Sequence, residues 1–217
     1  MSNKLKTRYL GKEILEFKEI DSTQKELWRR IENGNVSNGC VVIAERQTDG
    51  IGTHGRKWYT DSGNITFSFS IFPNCNIKKL ENLTYKIAEI LKEVFKDLYD
   101  ISLDIKLPND LMINGKKVGG ILTETKLQGE NVKVLVIGIG INTTLTSFPE
   151  ELEGKATSIK SALDIEVANF WLIFRFLEQF ELNFRSVFWL NLYKNCQKVC
   201  VFIKLQIRKI ANLNLLL

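Results

Sequence analysis

Residues 64–72 read Asn-Ile-Thr-Phe-Ser-Phe-Ser-Ile-Phe, an alternation of apolar and polar side chains. Successive side chains of a β-strand point to opposite faces of its sheet, so a period of two predicts a strand with one buried face. We therefore place a sheet with one apolar face at the centre of the fold, and we look outward for the elements that pack on it.

Further strands and helices are predicted on both sides of this segment. Short apolar or alternating runs predict strands at 14–19, 41–45, 103–107, 111–113, 117–124 and 133–139. Apolar residues at helical spacing predict helices at 24–33 and 80–99, and Asn114-Gly115 predicts a tight turn between two strands. The sequence therefore predicts an α+β fold, with helices packed on a mixed, largely antiparallel sheet.

The composition is that of an ordinary globular protein. Of the 217 residues, 44% are hydrophobic and 25% are charged, which supports one sizeable core and excludes collagen, coiled-coil and disordered chains. The 30 basic and 25 acidic residues are interleaved, so the net charge of +5 does not indicate a nucleic-acid partner. The sequence has no run of about 18 apolar residues and no signal-peptide core. We expect a cytoplasmic protein with no membrane partner.

Metal-binding patterns are absent from the sequence. The cysteines at positions 40, 75, 196 and 200 and the single histidine, His54, do not have zinc-ligand spacing. Because the expected compartment is reducing, the cysteines are interpreted as free thiols rather than disulfides. No metal site is predicted.

The segment 47–63 is a polar, glycine-rich connection that is too long for a routine turn. Two of its glycines have P-loop spacing, but Arg56 and Trp58 stand where a P-loop needs Lys and Ser or Thr. Flexible glycines expose backbone N–H groups, and the neighbouring positive charges favour an anion. The segment is thus suited to ordering around a phosphate, with a mobile surface loop as the alternative.

Four segments, in order along the chain, together resemble the biotin protein ligase family (biotin–acetyl-CoA-carboxylase ligases). The family has Asp-Ser-Thr-Asn before its first helix, a Gln-x-x-Gly-Arg-Gly-Arg-x-Gly-Arg-x-Trp loop, Lys-Trp-Pro-Asn-Asp-Leu followed by Gly-Lys-Lys-x-x-Gly-Ile-Leu, and a strand ending in Gly-Ile-Gly-Ile-Asn. The matching stretches here are 21–24 (Asp-Ser-Thr-Gln), 47–58 (Gln-Thr-Asp-Gly-Ile-Gly-Thr-His-Gly-Arg-Lys-Trp), 106–111 (Lys-Leu-Pro-Asn-Asp-Leu) with 115–122 (Gly-Lys-Lys-Val-Gly-Gly-Ile-Leu), and 138–142 (Gly-Ile-Gly-Ile-Asn).

This resemblance implies a class II synthetase-like catalytic domain, which we assign to residues 1–195. The family continues into a small SH3-like barrel, whereas residues 196–217 contain one β-like stretch, too little for five strands. We expect these residues to be a truncated or degenerate C-terminal segment in place of that barrel.

The resemblance also implies an activity. A biotin protein ligase uses ATP, with Mg2+, to convert biotin to biotinyl-5'-AMP and then transfers biotin to a lysine of a biotin carboxyl carrier protein. Two alternatives stay open, a lipoate-type acyl ligase and a truncated, non-catalytic biotin-binding remnant. Because the first predicted strand starts near residue 14, we expect no winged helix-turn-helix and no DNA partner.

Site residues follow from the resemblance, position by position. Lys106 is the implied catalytic residue, which would stabilise negative charge on the reacting phosphate and carboxylate. The implied biotin-binding residues are Ser22, Thr23, Gln24, Gln47, Gly119 and Gly120. The implied adenylate and ATP-binding residues are Gly50, Gly52, Gly55, Arg56, Trp58, Asn109 and Asn142.

Some positions depart from the family pattern. Gln24 replaces Asn, and Ile51 and Thr53 replace two loop arginines, which predicts weaker retention of the adenylate. Towards the C-terminus, residues 170–192 carry aromatic side chains on several helix faces. We expect these aromatics to be covered by the short C-terminal strand or in a homodimer, since a monomer rarely exposes so large an apolar patch.

Overall fold

The computed structural model of the chain describes residues 5–189. The strands are β1 (Ile14–Ile20), β2 (Val41–Gln47), β3 (Ile65–Ile71), β4 (Cys75–Asn76), β5 (Asp104–Lys106), β6 (Asp110–Ile113), β7 (Lys116–Gln128) and β8 (Asn131–Ile141). The helices are α1 (Thr23–Glu32), α2 (Leu83–Tyr99), α3 (Ile159–Leu163) and α4 (Asn169–Phe188).

These strands form one mixed sheet. Their spatial order is β1-β2-β3-β8-β7-β6-β5, and the short β4 pairs with the start of β8. The β1–β2 pair is parallel, and the other pairs are antiparallel. The prediction of an α+β fold with a largely antiparallel sheet is confirmed.

Strand β3 is buried on both faces, so the prediction of a single buried face is wrong. Its apolar residues point into the core formed with α2 and α4, as the alternation predicts. On the other face, Thr66, Ser68 and Ser70 are also buried. Helix α1 packs on that face through Leu27, which lies in a second apolar cluster.

Local backbone geometry sets the ends of several elements. Asn114 and Gly115 both have positive φ, 50° and 76°, which confirms the predicted tight turn between β6 and β7. Helix α2 begins three residues later than predicted, because a 3-10 turn occupies Ile77–Leu80 and Asn82, just before the helix, has left-handed backbone geometry, φ 57°. A left-handed residue cannot continue a right-handed helix.

Helix α4 shows where the aromatic residues of the C-terminal third are buried. The Phe176 ring centroid lies 5.8 Å from that of Phe67 and 6.1 Å from that of Phe69, both on β3. Most of these aromatics are buried in the core of one chain, so their burial does not require the homodimer that we expected. The predicted C-terminal strand lies outside the described residues. Phe170 and Trp171 stay 47% and 41% exposed. The homodimer stays a prediction, but the aromatic residues of α4 no longer argue for it.

The predicted C-terminal segment 196–217 lies outside the described residues, as do Cys196 and Cys200. Cys40 and Cys75 are buried free thiols, and burial raises the pKa of Cys40 to about 12. Within residues 5–189, none of the helices has the length and apolar character that a bilayer span requires.

We expect Phe176→Ala to lower the free energy of unfolding by about 3–5 kcal/mol, since it leaves a cavity between α4 and β3. The matched control is Leu182→Ala on the same helix, where a side chain that is 66% exposed is removed. That change should stay within about 0.5 kcal/mol of the wild type. Urea unfolding followed by circular dichroism measures both values. Similar losses for the two variants would contradict the placement of Phe176 in the core.

Candidate functional site

A cleft opens on the α1 side of the sheet, between the start of α1 and the loop that follows β2. It contains about 440 Å3 of empty space, counting its open mouth. Its lining residues come from five parts of the chain: Ser22, Thr23, Gln24, Gln47, Ile51, Gly52, Thr53, Trp58, Thr66, Ser68, Asn109, Lys117, Gly120, Ile121, Leu122, Gly138, Ile139 and Gly140.

The start of α1 forms one end of the cleft and is held by its own polar residues. The Ser22 hydroxyl caps the helix by accepting from the backbone N–H of Lys25 at 3.5 Å. The Arg29 guanidinium donates to both carboxylate oxygens of Asp21, at 2.7 and 2.8 Å, and these bonds lower the pKa of Asp21 to about 2. The turn that enters the helix is thus fixed on its outer side.

A buried hydrogen-bond network continues from α1 to the sheet. The Gln47 side-chain carbonyl accepts from the backbone N–H of Thr23 at 2.8 Å and from its hydroxyl at 3.1 Å. The Thr23 and Ser68 hydroxyls lie 2.8 Å apart, and the Gln47 amide reaches the Thr60 hydroxyl at 3.4 Å. This network links the helix, β2 and β3 at the floor of the cleft.

Two further polar atoms at the floor lack a partner among the described residues. They are the side-chain carbonyl oxygen of Gln24 and the hydroxyl of Thr66, and both side chains are buried. A buried polar atom without a hydrogen bond is costly, and in a cleft it is the atom that a ligand can satisfy. The floor therefore offers one acceptor and one hydroxyl to a ligand.

Glycines in the sheet leave room for the side chains that shape the cleft. A Cβ at Gly140 would lie 2.4 Å from Cε2 of Trp58, and a Cβ at Gly138 would lie 2.7 Å from Oε1 of Gln24. Trp58 therefore lies directly on the backbone of β8. In a strand interior, such glycines mark a close approach of another group.

The loop 50–58 folds back on itself over the mouth of the cleft. Ile51 forms a β-bridge with Lys57, and the Trp58 backbone N–H donates to the Gly50 carbonyl at 2.9 Å. Between them lies a 3-10 turn, Thr53–Gly55. The exposed Arg56 side chain donates to the Thr53 carbonyl and hydroxyl, at 3.3 and 3.1 Å.

A lysine lines the opposite side of the cleft. The ammonium of Lys117, on β7, lies 2.5 Å from a carboxylate oxygen of Asp110 and 5.7 Å from the ring centroid of Trp58. Beside it, the Asn109 amide donates to the Ile121 carbonyl at 3.1 Å. This places one positive charge, oriented by a carboxylate, at the edge of the polar floor.

The structure brings together eight of the residues that were expected in a site. They are Ser22, Thr23, Gln24, Gln47, Gly52, Trp58, Asn109 and Gly120. Six others do not line the cleft: Lys106, Gly50, Gly55, Arg56, Gly119 and Asn142.

Each of these six has a definite place. Lys106 is exposed on the edge strand β5. Gly50 and Gly119 are packed against backbone, Gly55 belongs to the 3-10 turn of the loop, and Arg56 directly follows that turn. Asn142 is buried at the end of β8, where its side-chain oxygen has no partner among the described residues.

Sequence reasoning missed Lys117, Thr66 and Ser68. Lys117 is part of the Gly-Lys-Lys stretch, but nothing in that stretch shows which of its lysines faces a cleft. Thr66 and Ser68 are the polar half of the alternation in β3, which normally indicates a solvated face. Within residues 5–189, no three His, Cys, Asp or Glu side chains are grouped so that they could hold a metal ion.

Comparison with known proteins identifies related chains. Residues 16–142 match the biotin/lipoate A/B protein ligase family. The chain is 35% identical over 185 residues to the bifunctional ligase/repressor BirA of Bacillus subtilis, covering 84% of this chain and 57% of that protein. It is 32% identical over 152 residues to the biotin–[acetyl-CoA-carboxylase] ligase of Mycobacterium tuberculosis, covering 68% and 53%. The chain thus spans little more than half the length of these relatives.

A solved structure is also similar. The biotin protein ligase of Aquifex aeolicus in complex with biotin and ATP aligns with a TM-score of 0.67 and 30% identity. The alignment covers 82% of this chain and 72% of that one.

We expect Gly140→Ala to lower the free energy of unfolding by about 1–3 kcal/mol, because its Cβ would overlap Trp58. In a Trp58→Ala background, Gly140→Ala should lower the free energy of unfolding by much less. A double-mutant cycle in urea measures this coupling. Gly120→Ala is the control, since its Cβ would meet its neighbours at an ordinary 3.4 Å. Equal effects of Gly140→Ala in both backgrounds would show that Trp58 does not rest on Gly140.

Proposed function

The chain belongs to the biotin/lipoate A/B protein ligase family, and on that premise we propose that it is an ATP-dependent biotin protein ligase. It would activate biotin as biotinyl-5'-AMP and transfer it to a lysine of a biotin carboxyl carrier protein. The observation that carries the proposal is the floor of the cleft, where the buried carbonyl of Gln24 and hydroxyl of Thr66 have no partner within residues 5–189.

The cleft suits the chemistry of the biotin head group. A cyclic urea has two N–H donors and one carbonyl acceptor on a compact, otherwise apolar bicycle. Gln24 offers an acceptor for an N–H, and the Thr66 hydroxyl, which has no partner among the described residues, can donate to the carbonyl. Ile121, Leu122 and other apolar residues supply the walls. This combination of apolar walls and few polar groups is typical of a small-molecule site.

The same floor argues against lipoate as the substrate. The dithiolane ring of lipoate has no N–H, so the Gln24 carbonyl would stay buried without a partner in that complex. A site built to bond an N–H rejects an analogue that lacks it, because its own polar atom is left unpaired. We therefore rank the lipoate-type ligase below the biotin ligase.

In the first step, a carboxylate oxygen of biotin attacks the α-phosphorus of ATP. The bond from that phosphorus to the bridging oxygen breaks, and pyrophosphate leaves with the electron pair. Negative charge rises on the α-phosphate oxygens during this step, and a fixed positive charge nearby stabilises it. We assign this role to Lys117, which lines the cleft, rather than to Lys106, which is exposed outside it.

The adenylate is assigned to the mouth of the cleft. Gly52, Trp58 and Asn109 line it there, and Gly50, Gly55 and Arg56 belong to the loop that folds over it. The side-chain oxygen of Asn142, which has no partner in the part of the chain that the structure describes, is a further acceptor at the end of β8. Mg2+ would enter with the phosphates of ATP.

In the second step, the amine of the acceptor lysine attacks the biotinyl carbonyl carbon of the mixed anhydride. AMP leaves, and the amine loses a proton to give an amide. An activated anhydride needs little further catalysis from the protein. We place this reaction in the cytoplasm, with the carrier protein as partner.

We expect Lys117→Met to reduce biotin-dependent pyrophosphate release by at least about 100-fold, since it removes the charge that acts as the phosphate becomes more negative. The matched control is Lys106→Met, which should stay within about 5-fold of the wild type because exposed charges contribute little. Circular dichroism verifies that both variants fold. The reverse ranking would return the catalytic role to Lys106.

Substrate choice tests the proposed function itself. With ATP and the wild-type protein, biotin should release pyrophosphate and label an acceptor domain, whereas lipoate should do neither at the same concentration. Faster release with lipoate would favour the lipoate-type ligase. Biotin binding without any pyrophosphate release would favour the non-catalytic remnant.

A further inference from the structure

Glu124 connects the floor of the cleft to helix α1. It lies on β7, and a single oxygen of its carboxylate, Oε2, accepts two hydrogen bonds. One comes from the side-chain amide of Gln24 at 2.9 Å, and the other comes from the indole N–H of Trp28 at 2.7 Å. Gln24 and Trp28 are four residues apart, so they lie on the same face of the helix.

The carboxylate determines which way the Gln24 amide points. An ionised carboxylate can accept hydrogen bonds but cannot donate them, so the amide must turn its NH2 group towards Glu124. The same nitrogen lies 3.4 Å from the backbone carbonyl of Val136, which is also an acceptor. The opposite orientation of the amide would set its oxygen against two acceptors and lose both bonds.

Because the NH2 group is held in this way, the direction of the Gln24 carbonyl oxygen is fixed as well. It lies against Gly138, where a Cβ would come within 2.7 Å of it. It is buried and has no partner among the described residues. The cleft therefore presents a hydrogen-bond acceptor at this point and no donor.

We propose that Glu124 is a positioning residue that fixes the Gln24 amide with its oxygen towards the ligand, so that the cleft selects a ring N–H at that point. This proposal rests on the proposed function and refines it. It makes Glu124, which does not line the cleft, responsible for the preference for an N–H over other ring atoms. Trp28 supports Glu124 by donating to the same oxygen.

The test compares biotin with two cyclic carbamates, in which one or the other ureido N–H is replaced by a ring oxygen. These analogues keep the shape of biotin and change one donor into an acceptor. For the wild-type protein, titration calorimetry should give one carbamate a dissociation constant at least about 30-fold above that of biotin, since a site built for an N–H rejects an acceptor.

Two variants separate positioning from mere packing. Glu124→Met keeps the length of the side chain and removes the closer of the two acceptors of the Gln24 NH2 group. Only the long 3.4 Å contact with the Val136 carbonyl then opposes a turn of the amide. We expect the carbamate-to-biotin ratio of dissociation constants to fall below about 5, since the amide can then donate to the ring oxygen. Glu124→Gln should keep the wild-type ratio, because one amide oxygen can accept both bonds.

A structural role alone would weaken all three ligands together and leave the ratio unchanged. An unchanged ratio in folded Glu124→Met, or an equal loss in Glu124→Gln, overturns the proposal. If Glu124→Met does not unfold cooperatively in urea, Glu124→Asp replaces it, because it withdraws the carboxylate by one methylene and should lower the ratio as well.

The first titration keeps this proposal distinguishable from the proposed function. Wild-type protein that does not bind biotin refutes both. Wild-type protein that binds biotin and both carbamates alike leaves biotin binding intact and refutes the role of Glu124.

Discussion

The pairing of β3 with β8 is the constraint on which the rest of the structure depends. These two strands lie in the middle of the sheet and are covered on both faces. On one face, Phe67, Phe69 and their neighbours fill the core with α2 and α4. On the other face, the same strands carry hydroxyls and glycines, which leave an open volume where larger side chains would fill the space. The cleft exists because the large side chains lie on one face of these strands and the small ones lie on the other.

Much of this arrangement is visible in the sequence, and the rest depends on long-range pairing. The alternation in β3 and the Asn114-Gly115 turn predicted their elements, because they reflect local chain geometry. The burial of Ser68 was missed, since it depends on α1 packing across that face, and a serine at a period of two ordinarily indicates solvent. Eight implied site residues line the cleft because they lie in segments that converge there.

The contrast between Lys106 and Lys117 shows that a sequence motif does not reveal which face of a strand a residue occupies. Both lysines lie in stretches that resemble the family motifs, and both are at strand positions. Their placement depends on the pairing of β5, β6 and β7, which includes a shift in register between Leu111 and Met112. One residue of shift exchanges the two faces of a strand, so a lysine within a motif is assigned to a cleft only when the register is known.

The cleft also carries a cost in the absence of a ligand. Gln24 and Thr66 each bury a polar atom that has no partner among the described residues, and such an atom destabilises the free protein by about 1–3 kcal/mol. Proteins retain unfavourable features of this kind where function requires them. A ligand that bonds both atoms removes that cost, whereas one that leaves either unpaired does not. The same two atoms therefore link the stability of the free protein to its choice of ligand, and the Glu124 carboxylate maintains this link by preventing the Gln24 amide from turning to another partner.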